Sequence, residues 1–363
     1  IRVGYVSADF RRHSAMEIHG PIITNHDKTI VETFIYSNSH ISDVLTEELK
    51  EHVEAWRDVA DTSDEDLALM IENDTVDILV DLSGHSLGNR LLAFARKPAP
   101  IQVTAWGYAL GTGLRTMDYF FTDPVATPPT EAREYSEACV YLPCVLPFRI
   151  PDTPSHVVDA PESRNQFITF GCFNRGMKVS LSAIRAWCRI LGAVKNSRLL
   201  FKSADFEIEG KRRTIRENIM EMGIDPERVS FEGHTVRHEH LAAYGRIDIA
   251  LDTFPHNGGA TTWEALFMGV PVITWMGVGA AQRISGAILK VMDANEFVAE
   301  TEEDYIEIAV RLGNDINRLR ALRKSLRPRV IDCDVTNYKI YTRHVDTAYQ
   351  RMWRQWCSEQ SRL

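Results

Sequence analysis

The chain has 363 residues, 44% hydrophobic and 25% charged, with 41 basic against 50 acidic side chains and a net charge of −9. Such a composition belongs to a soluble globular protein, and the length exceeds what one core usually serves, so two domains are expected. The acidic balance argues against a general nucleic-acid or membrane-surface binder, and no apolar stretch approaches the roughly 20 residues of a membrane-spanning helix.

The first half alternates short apolar strands with helical patterns. RVGYVSAD and VETFIYS read as strands. SDEDLALMIEND reads as a helix capped by Ser63, with Asp66 in the usual glutamate place of a capping box. VDILVDLSG is a strand, LLAFARKPAP a helix stopped by Pro98, and IQVTAWG, MDYFFTD and ACVYLP are further strands. The segment 147–166 is rich in proline and polar residues, and the alternation then restarts. FITFGCFN, SRLLFKS, VSFEG, DIALDTF and PVITW are strands. Between them SLSAIRAWCRILGAV, GKRRTIRENIMEMG, HEHLAAYGRI and TTWEALFMG are helices, and the last 60 or so residues are mostly helical. No repeat of about 20–50 residues is seen. The expected fold class is α/β: two doubly wound parallel-sheet domains, 1–150 and 167–337, a linker over 151–166 and a closing helix over 338–363. Six scattered cysteines without a C-x-x-C pair favour a reducing, cytoplasmic setting and disfavour zinc. The chain opens on Ile1 inside an apparent strand, so a preceding segment is expected.

In such sheets ligands sit outside the carboxyl ends of the strands, and with two domains the cleft between them is the expected place. The strongest candidate is the run DTFPHNGGATTWEALF. Asn257, Gly258, Gly259 and Ala260 bare the backbone after a strand, and Thr261 and Thr262 open the next helix, whose free amides and dipole favour an anion. Glu264 then has the place of a carboxylate that accepts from a ribose diol. The structural alternative is that Thr261 caps the helix and Glu264 complements its dipole. A second candidate is CFNRGMK, where Asn174, Arg175 and Lys178 bring two positive charges to the same edge. A third is the loop with His234, Arg237, His238 and His240, whose spacing lacks a fourth metal ligand; it reads either as a surface helix start rich in histidine or as a contact to a nucleotide base and phosphate. In the first half, His13, His85 and the GYALGTG segment with Tyr108, Gly111 and Thr112 follow strand ends. Either histidine is a candidate general base or acceptor contact.

Together these pieces resemble one family. RVGYVSADFRRHS, VDILVDLSGHSLGNRL, FGCFNRGMKVS, DTFPHNGGATTWEALFMGVPVIT and YTRHVDTAYQRMW are similar to the catalytic region of O-linked N-acetylglucosamine transferases and their SPINDLY-type relatives. The resemblance implies a GT-B fold of two Rossmann-like domains, with the C-terminal helix crossing back onto the first. It implies inverting transfer of a sugar from a nucleotide donor to serine or threonine of a protein, with no metal or other cofactor. Tetratricopeptide repeats usually precede this region, and oligomers could form through them. Lys178 would fall to the donor diphosphate and act in catalysis. His240 would lie at the nucleotide, Thr261 and the helix-start amides at the phosphates, and Glu264 at the ribose. His13 matches a histidine of the active cleft. The animal members have glutamine at Arg175, His-Thr-Thr at Gly259–Thr261 and tyrosine at His85. An acid once proposed there as the base falls near Leu69, which leaves the base unassigned. A UDP-sugar, UDP-N-acetylglucosamine above others, is the expected donor. The alternatives are a GDP-fucose-dependent transferase, a nucleotide-sugar epimerase and a non-catalytic nucleotide-sugar-binding protein.

Overall fold

The computed structural model describes residues 1–151 and 154–361. Asp152 and Thr153 of the expected linker, and Arg362 and Leu363 of the expected closing helix, lie outside the described residues. The chain divides into two compact units, Ile1–Arg149 with Asp334–Leu363, and Ile150–Cys333.

The first unit is built on a parallel sheet of β1 (Arg2–Ser7), β2 (Glu32–Ser37), β3 (Ala55–Asp58), β4 (Ile78–Asp81), β5 (Ile101–Thr104), β6 (Tyr119–Thr122) and β7 (Ala138–Tyr141). Their order is β3-β2-β1-β4-β5-β6-β7. Strands β4 and β5 are buried along their whole length, as near-continuous apolar runs covered on both faces should be. Strand β3 has no apolar run to announce it, because as an edge strand it is only half-buried. The helix expected over LLAFARKPAP is one turn, Leu91–Phe94. It ends ahead of Pro98, where Lys97 takes a left-handed φ of 57°. Ser63 does cap the helix Asp64–Asn73, its Oγ accepting the Asp66 amide at 3.0 Å.

The closing helix, Tyr338–Gln360, belongs to this first unit. Its buried face is fixed by polar contacts as well as packing. The Tyr349 hydroxyl lies 3.0 Å from that of Tyr5, and Asp346 Oδ1 accepts from His26 Nδ1 at 2.5 Å. Tyr341 takes the Trp106 indole N–H at 3.1 Å and donates to the Cys144 carbonyl at 2.9 Å. Trp353 and Trp356 stack on one another, with centroids 5.0 Å apart.

The second unit carries β8 (Ile168–Cys172), β9 (Ser197–Lys202), β10 (Val229–Glu232), β11 (Ile249–Leu251), β12 (Val272–Trp275) and β13 (Val298–Ala299), in the order β10-β9-β8-β11-β12-β13. The end of the proline-rich segment packs into this unit. A short helix, Glu162–Asn165, starts where the Glu162 amide donates to Asp248 Oδ1 at 3.1 Å. In each sheet the chain progression reverses at the first strand, so the loops leaving β1 and β4, and those leaving β8 and β11, part company and open a crevice.

The two sheets also repeat one device. Asp77 and Asp248, just ahead of β4 and β11, accept the amides of Arg2 and Thr169 at 2.8 Å each. Asp81 and Asp252, four residues on, accept the amides of the loops that follow and a threonine hydroxyl from the neighbouring strand. Those hydroxyls are Thr104 at 2.8 Å and Thr274 at 2.7 Å. His85 and His256 stand four residues beyond each aspartate. No helix is long and apolar enough to cross a membrane among the described residues.

Candidate functional site

At the crevice of the second sheet the organising residue is Asp252, 2% exposed. Its Oδ1 accepts the amides of Thr253 at 2.9 Å and Gly258 at 2.7 Å, and the Asn174 side-chain amide at 3.2 Å. Burial pushes its carboxyl up, opposed by hydrogen bonds from Ser285, Thr274 and the Gly258 amide and by the Lys178 charge. Gly258 is required at this turn. A Cβ there would stand 2.7 Å from Thr262 Oγ1 and 2.8 Å from Thr261 Oγ1. With Gly258 folded onto Asp252, the helix Ala260–Phe267 begins immediately, and Gly259 is its cap. The amides of Gly259, Ala260 and Thr261 have no acceptor among the described residues. They and the helix dipole therefore present an anion-attracting edge. A small cavity lies beside it, lined by Phe173, Asn174, Tyr244, Asp252 and Thr261 among others.

Lys178 closes one side. It stands on the turn Gly176–Lys178, which Asp205 fixes by accepting the Gly176 amide at 2.8 Å. Its Nζ donates to the Asn257 carbonyl at 2.7 Å. Desolvation pulls its ammonium down to about 8, opposed by Asp252 and reinforced by Arg175. A cation held at that cost in a half-buried place gains most when an anion arrives. Arg175 next to it is exposed.

Glu264 lies in the second turn of the same helix, 4% exposed, at the centre of a polar cluster. Arg237 pairs with its Oε1, His240 Nε2 lies 3.1 Å from Oε2, and the Tyr244 hydroxyl lies 3.2 Å from Oε2. Burial pushes this carboxyl up. The hydrogen bond from His240 and the Arg237 charge outweigh that and hold it at about 2. The site thus offers a permanent carboxylate. Phe173 packs against Tyr244, centroids 4.4 Å apart, and against His240 at 5.8 Å, giving an aromatic wall next to the carboxylate.

In the first unit, His13 Nδ1 accepts the Ala15 amide at 3.2 Å. His85 Nε2 meets the Thr112 carbonyl at 2.9 Å, and its ring is edge-on to Tyr108 at 5.6 Å. The loop carrying Thr112 is clamped by Glu137. That buried carboxylate accepts the Thr112 amide at 2.5 Å, the Thr112 hydroxyl at 2.6 Å and the Gly113 amide at 3.2 Å. A Cβ on Gly111 would come within 2.6 Å of the same carboxylate.

Residues 1–157 and 155–345 match the family model of glycosyl transferase family 41. The chain belongs to glycosyl transferase family 41. It is 36% identical over 361 residues to a Solanum lycopersicum protein named as a probable UDP-N-acetylglucosamine–peptide N-acetylglucosaminyltransferase SPINDLY, and 37% over 365 residues to the Hordeum vulgare protein of that name. Those alignments take in 98% and 99% of this chain but 39% of each plant protein. The chain thus spans about two-fifths of the length of these relatives. The solved O-GlcNAc transferase of Thermobaculum terrenum, as a mutant, superposes with a TM-score of 0.95 at 36% identity, covering 99% of this chain and 69% of that one. The fold is GT-B, with two Rossmann-like units.

Of the residues singled out in this family 41 sequence, the second unit brings Asn174, Lys178, Arg237, His240, Gly258, Gly259, Ala260, Thr261 and Glu264 around one crevice. Three other residues singled out turn inward. Thr262 is buried with its hydroxyl on Ser285 at 2.7 Å, so it cannot meet a phosphate. The Asn257 side chain is wholly buried and donates to the Thr253 carbonyl, so that only its own carbonyl serves, by holding Lys178. The Thr112 hydroxyl belongs to Glu137. Thr261 does not cap the helix either, since its hydroxyl donates to Asn174 Oδ1 at 2.8 Å. His234 and His238 stay on the surface, and no group of three His, Cys, Asp or Glu among the described residues is arranged for a metal. Sequence reasoning missed Asp252, Phe173, Tyr244 and Glu137. The available signal for Asp252 was a carboxylate closing an apolar run, IALD, at a strand's carboxyl end.

Proposed function

We propose that this chain is an inverting protein O-glycosyltransferase that moves N-acetylglucosamine from UDP-N-acetylglucosamine to serine or threonine hydroxyls. The observation that carries this reading is the juxtaposition, in the second unit, of three unengaged helix-start amides, the desolvated Lys178 ammonium and the permanent carboxylate of Glu264. Each fits one part of a nucleotide sugar. A ribose hydroxyl donates to Glu264, which keeps one open acceptor position on Oε1 beside Arg237, its Oε2 being taken by His240 and Tyr244. The base lies against the wall of Phe173, Tyr244 and His240. The diphosphate spans the amides of Gly259–Thr261, with Lys178 as its counter-charge and the Thr261 hydroxyl turning from Asn174 to donate.

In the reaction the acceptor oxygen bonds to the anomeric carbon from the face opposite the diphosphate, the carbon–phosphate-oxygen bond breaks, and configuration inverts. Negative charge grows on the departing diphosphate, so fixed donors gain most in the transition state, by about 3–4 kcal/mol for a single well-placed donor. Lys178, Arg175 and the amides supply the positive charge that a divalent cation supplies elsewhere, and the proposal needs no metal or other cofactor. The names of the two plant relatives support the donor and the peptide acceptor, and that of the Thermobaculum terrenum protein supports the sugar. Six cysteines, all free, support a reducing, cytoplasmic setting.

The test is transfer of labelled N-acetylglucosamine from the UDP-sugar to serine-containing peptides, in the presence of a chelator. Incorporation that is sensitive to alkaline elimination supports the reading. Transfer from GDP-fucose alone would replace the sugar and nucleotide, and an absolute requirement for a divalent cation would overturn the metal-free mechanism.

A further inference from the structure

In the crevice of the second unit one peptide group joins Lys178 to Asp252. The Asn257 carbonyl accepts from Lys178 Nζ at 2.7 Å. On the other side of the same peptide plane, the Gly258 amide donates to Asp252 Oδ1 at 2.7 Å. A cation at the carbonyl and an anion at the N–H polarise a peptide in the same sense, so each bond strengthens the other. The peptide is held in this orientation from nearby. The Asn257 side chain donates to the Thr253 carbonyl at 2.8 Å, and its amide donates to the Ala281 carbonyl at 2.9 Å. A Cβ on Gly258 would also stand 3.1 Å from Asp252 Oδ1.

Asp252 divides its bonds between its two oxygens. Oδ1 takes three N–H donors that cannot reverse, from Thr253, Gly258 and Asn174. Oδ2 takes the Thr274 hydroxyl, which can reverse. The ionised carboxylate is the form that suits the first set. It is also the one negative charge among the groups that act on Lys178 at neutral pH. Arg175 adds a positive charge. Burial pushes the Cys172 thiol up to about 12, and desolvation followed by the Lys178 charge draws His256 down to about 4, so both are uncharged. Tyr305, whose hydroxyl donates to the Asp252 carbonyl at 3.0 Å, is pushed up by burial and is uncharged too.

Resting on the transferase reading above, we propose that Asp252 is a positioning residue of the reaction, holding the Lys178 ammonium in place and charged through the Asn257–Gly258 peptide. An ammonium has three N–H donors, so the bond to Asn257 leaves two for a diphosphate. The same carboxylate folds Gly258 ahead of the helix-start amides and holds Asn174, which takes the Thr261 hydroxyl. One buried charge thus sets the cation and the neutral donors of the anion-attracting edge together.

The test begins with the unliganded wild-type chain, whose Gly258 amide resonance is followed across the Lys178 titration, centred on about pH 8. Loss of the Lys178 charge is expected to shift that resonance with the same midpoint, and Lys178→Met to leave it flat. A Gly258 resonance indifferent to pH in the wild type would overturn the proposal, whether or not any variant folds. The second arm is Asp252→Asn, which keeps an oxygen for the three amides and an NH2 that the Thr274 hydroxyl can accept. In this variant the alkaline fall of UDP affinity is expected to begin about one pH unit lower than in the wild type, the effect of removing one nearby opposite charge. A merely structural role would weaken UDP at every pH and leave the midpoint in place, and that result would overturn the proposal. A wild-type chain that binds no UDP would overturn the transferase reading instead, with the Gly258 resonance still deciding the role of Asp252.

Discussion

Replacing Lys178 by methionine keeps the length and apolar stem of the side chain and removes only the charge. In the unliganded protein that charge is a burden, since desolvation draws the ammonium from 10.5 to about 8. A depression of that size is worth about 3 kcal/mol of destabilisation at neutral pH, present below the folded pKa and fading as pH rises toward the unfolded value. Against this stands the bond from Nζ to the Asn257 carbonyl at 2.7 Å, whose loss costs about 1.5–3 kcal/mol. The two nearly cancel, so the variant is expected to melt within a few degrees of the wild type. Under the proposed mechanism transfer should behave otherwise, because the ammonium would stabilise charge that exists fully only as the diphosphate leaves. A loss of about 100- to 1,000-fold in kcat is expected. Paired calorimetry and initial-rate assays decide the matter. A variant that keeps its kcat but melts far lower would show that Lys178 braces the Asn257 loop and does nothing to the donor.

The same lysine predicts the alkaline behaviour of donor binding. As pH rises through about 8 the unliganded protein loses the Lys178 proton, so UDP held as proposed would have to bind together with a proton. Its affinity should fall by up to about tenfold per pH unit, and Lys178→Met should abolish that slope in titration calorimetry. Glu264 governs the acid side. Its carboxyl is held at about 2 against an ordinary 4.5, so its contribution of about 3 kcal/mol is present above pH 4.5 and is lost as pH falls toward 2. Glu264→Gln should lower stability at pH 7, flatten this acid dependence in denaturant melts, and weaken UDP binding. The two threonines separate structure from function. Thr262→Val removes the hydroxyl pair with Ser285, which keeps its bond to Asp252, and should cost about 1 kcal/mol with UDP affinity unchanged, whereas Thr261→Val should weaken UDP binding with little loss of stability.

How much of this was legible in the sequence depended on which way a side chain turns. Lys178, Glu264 and the glycines of NGGATT were readable because they follow strand ends, where α/β sheets place their ligand contacts. Thr261 and Thr262 look alike in sequence, yet one faces the crevice and the other Ser285, because adjacent helix positions lie about 100° apart and the burial of Trp263 fixes the helix's rotation. Asp252 and Asp81 read as the polar ends of strands, and their role as loop anchors appears only with the threonines of neighbouring strands, Thr274 and Thr104. Glu137 was invisible for the same reason, since Thr112 lies on a different connection. Strand β3 escaped because an edge strand needs no apolar run. The motif resemblance supplied the family and the GT-B architecture, whereas the parallel sheets themselves followed from the alternation of apolar strands and helices.

The most direct test of the central claim is the thermal stabilisation of the purified chain by UDP and by GDP, each with magnesium and with a chelator. A ligand that binds only the folded state must raise the midpoint. The account predicts a rise with UDP that is the same with and without magnesium, and a smaller one or none with GDP. No rise with UDP at millimolar concentration, or one that vanishes with the chelator, would contradict it.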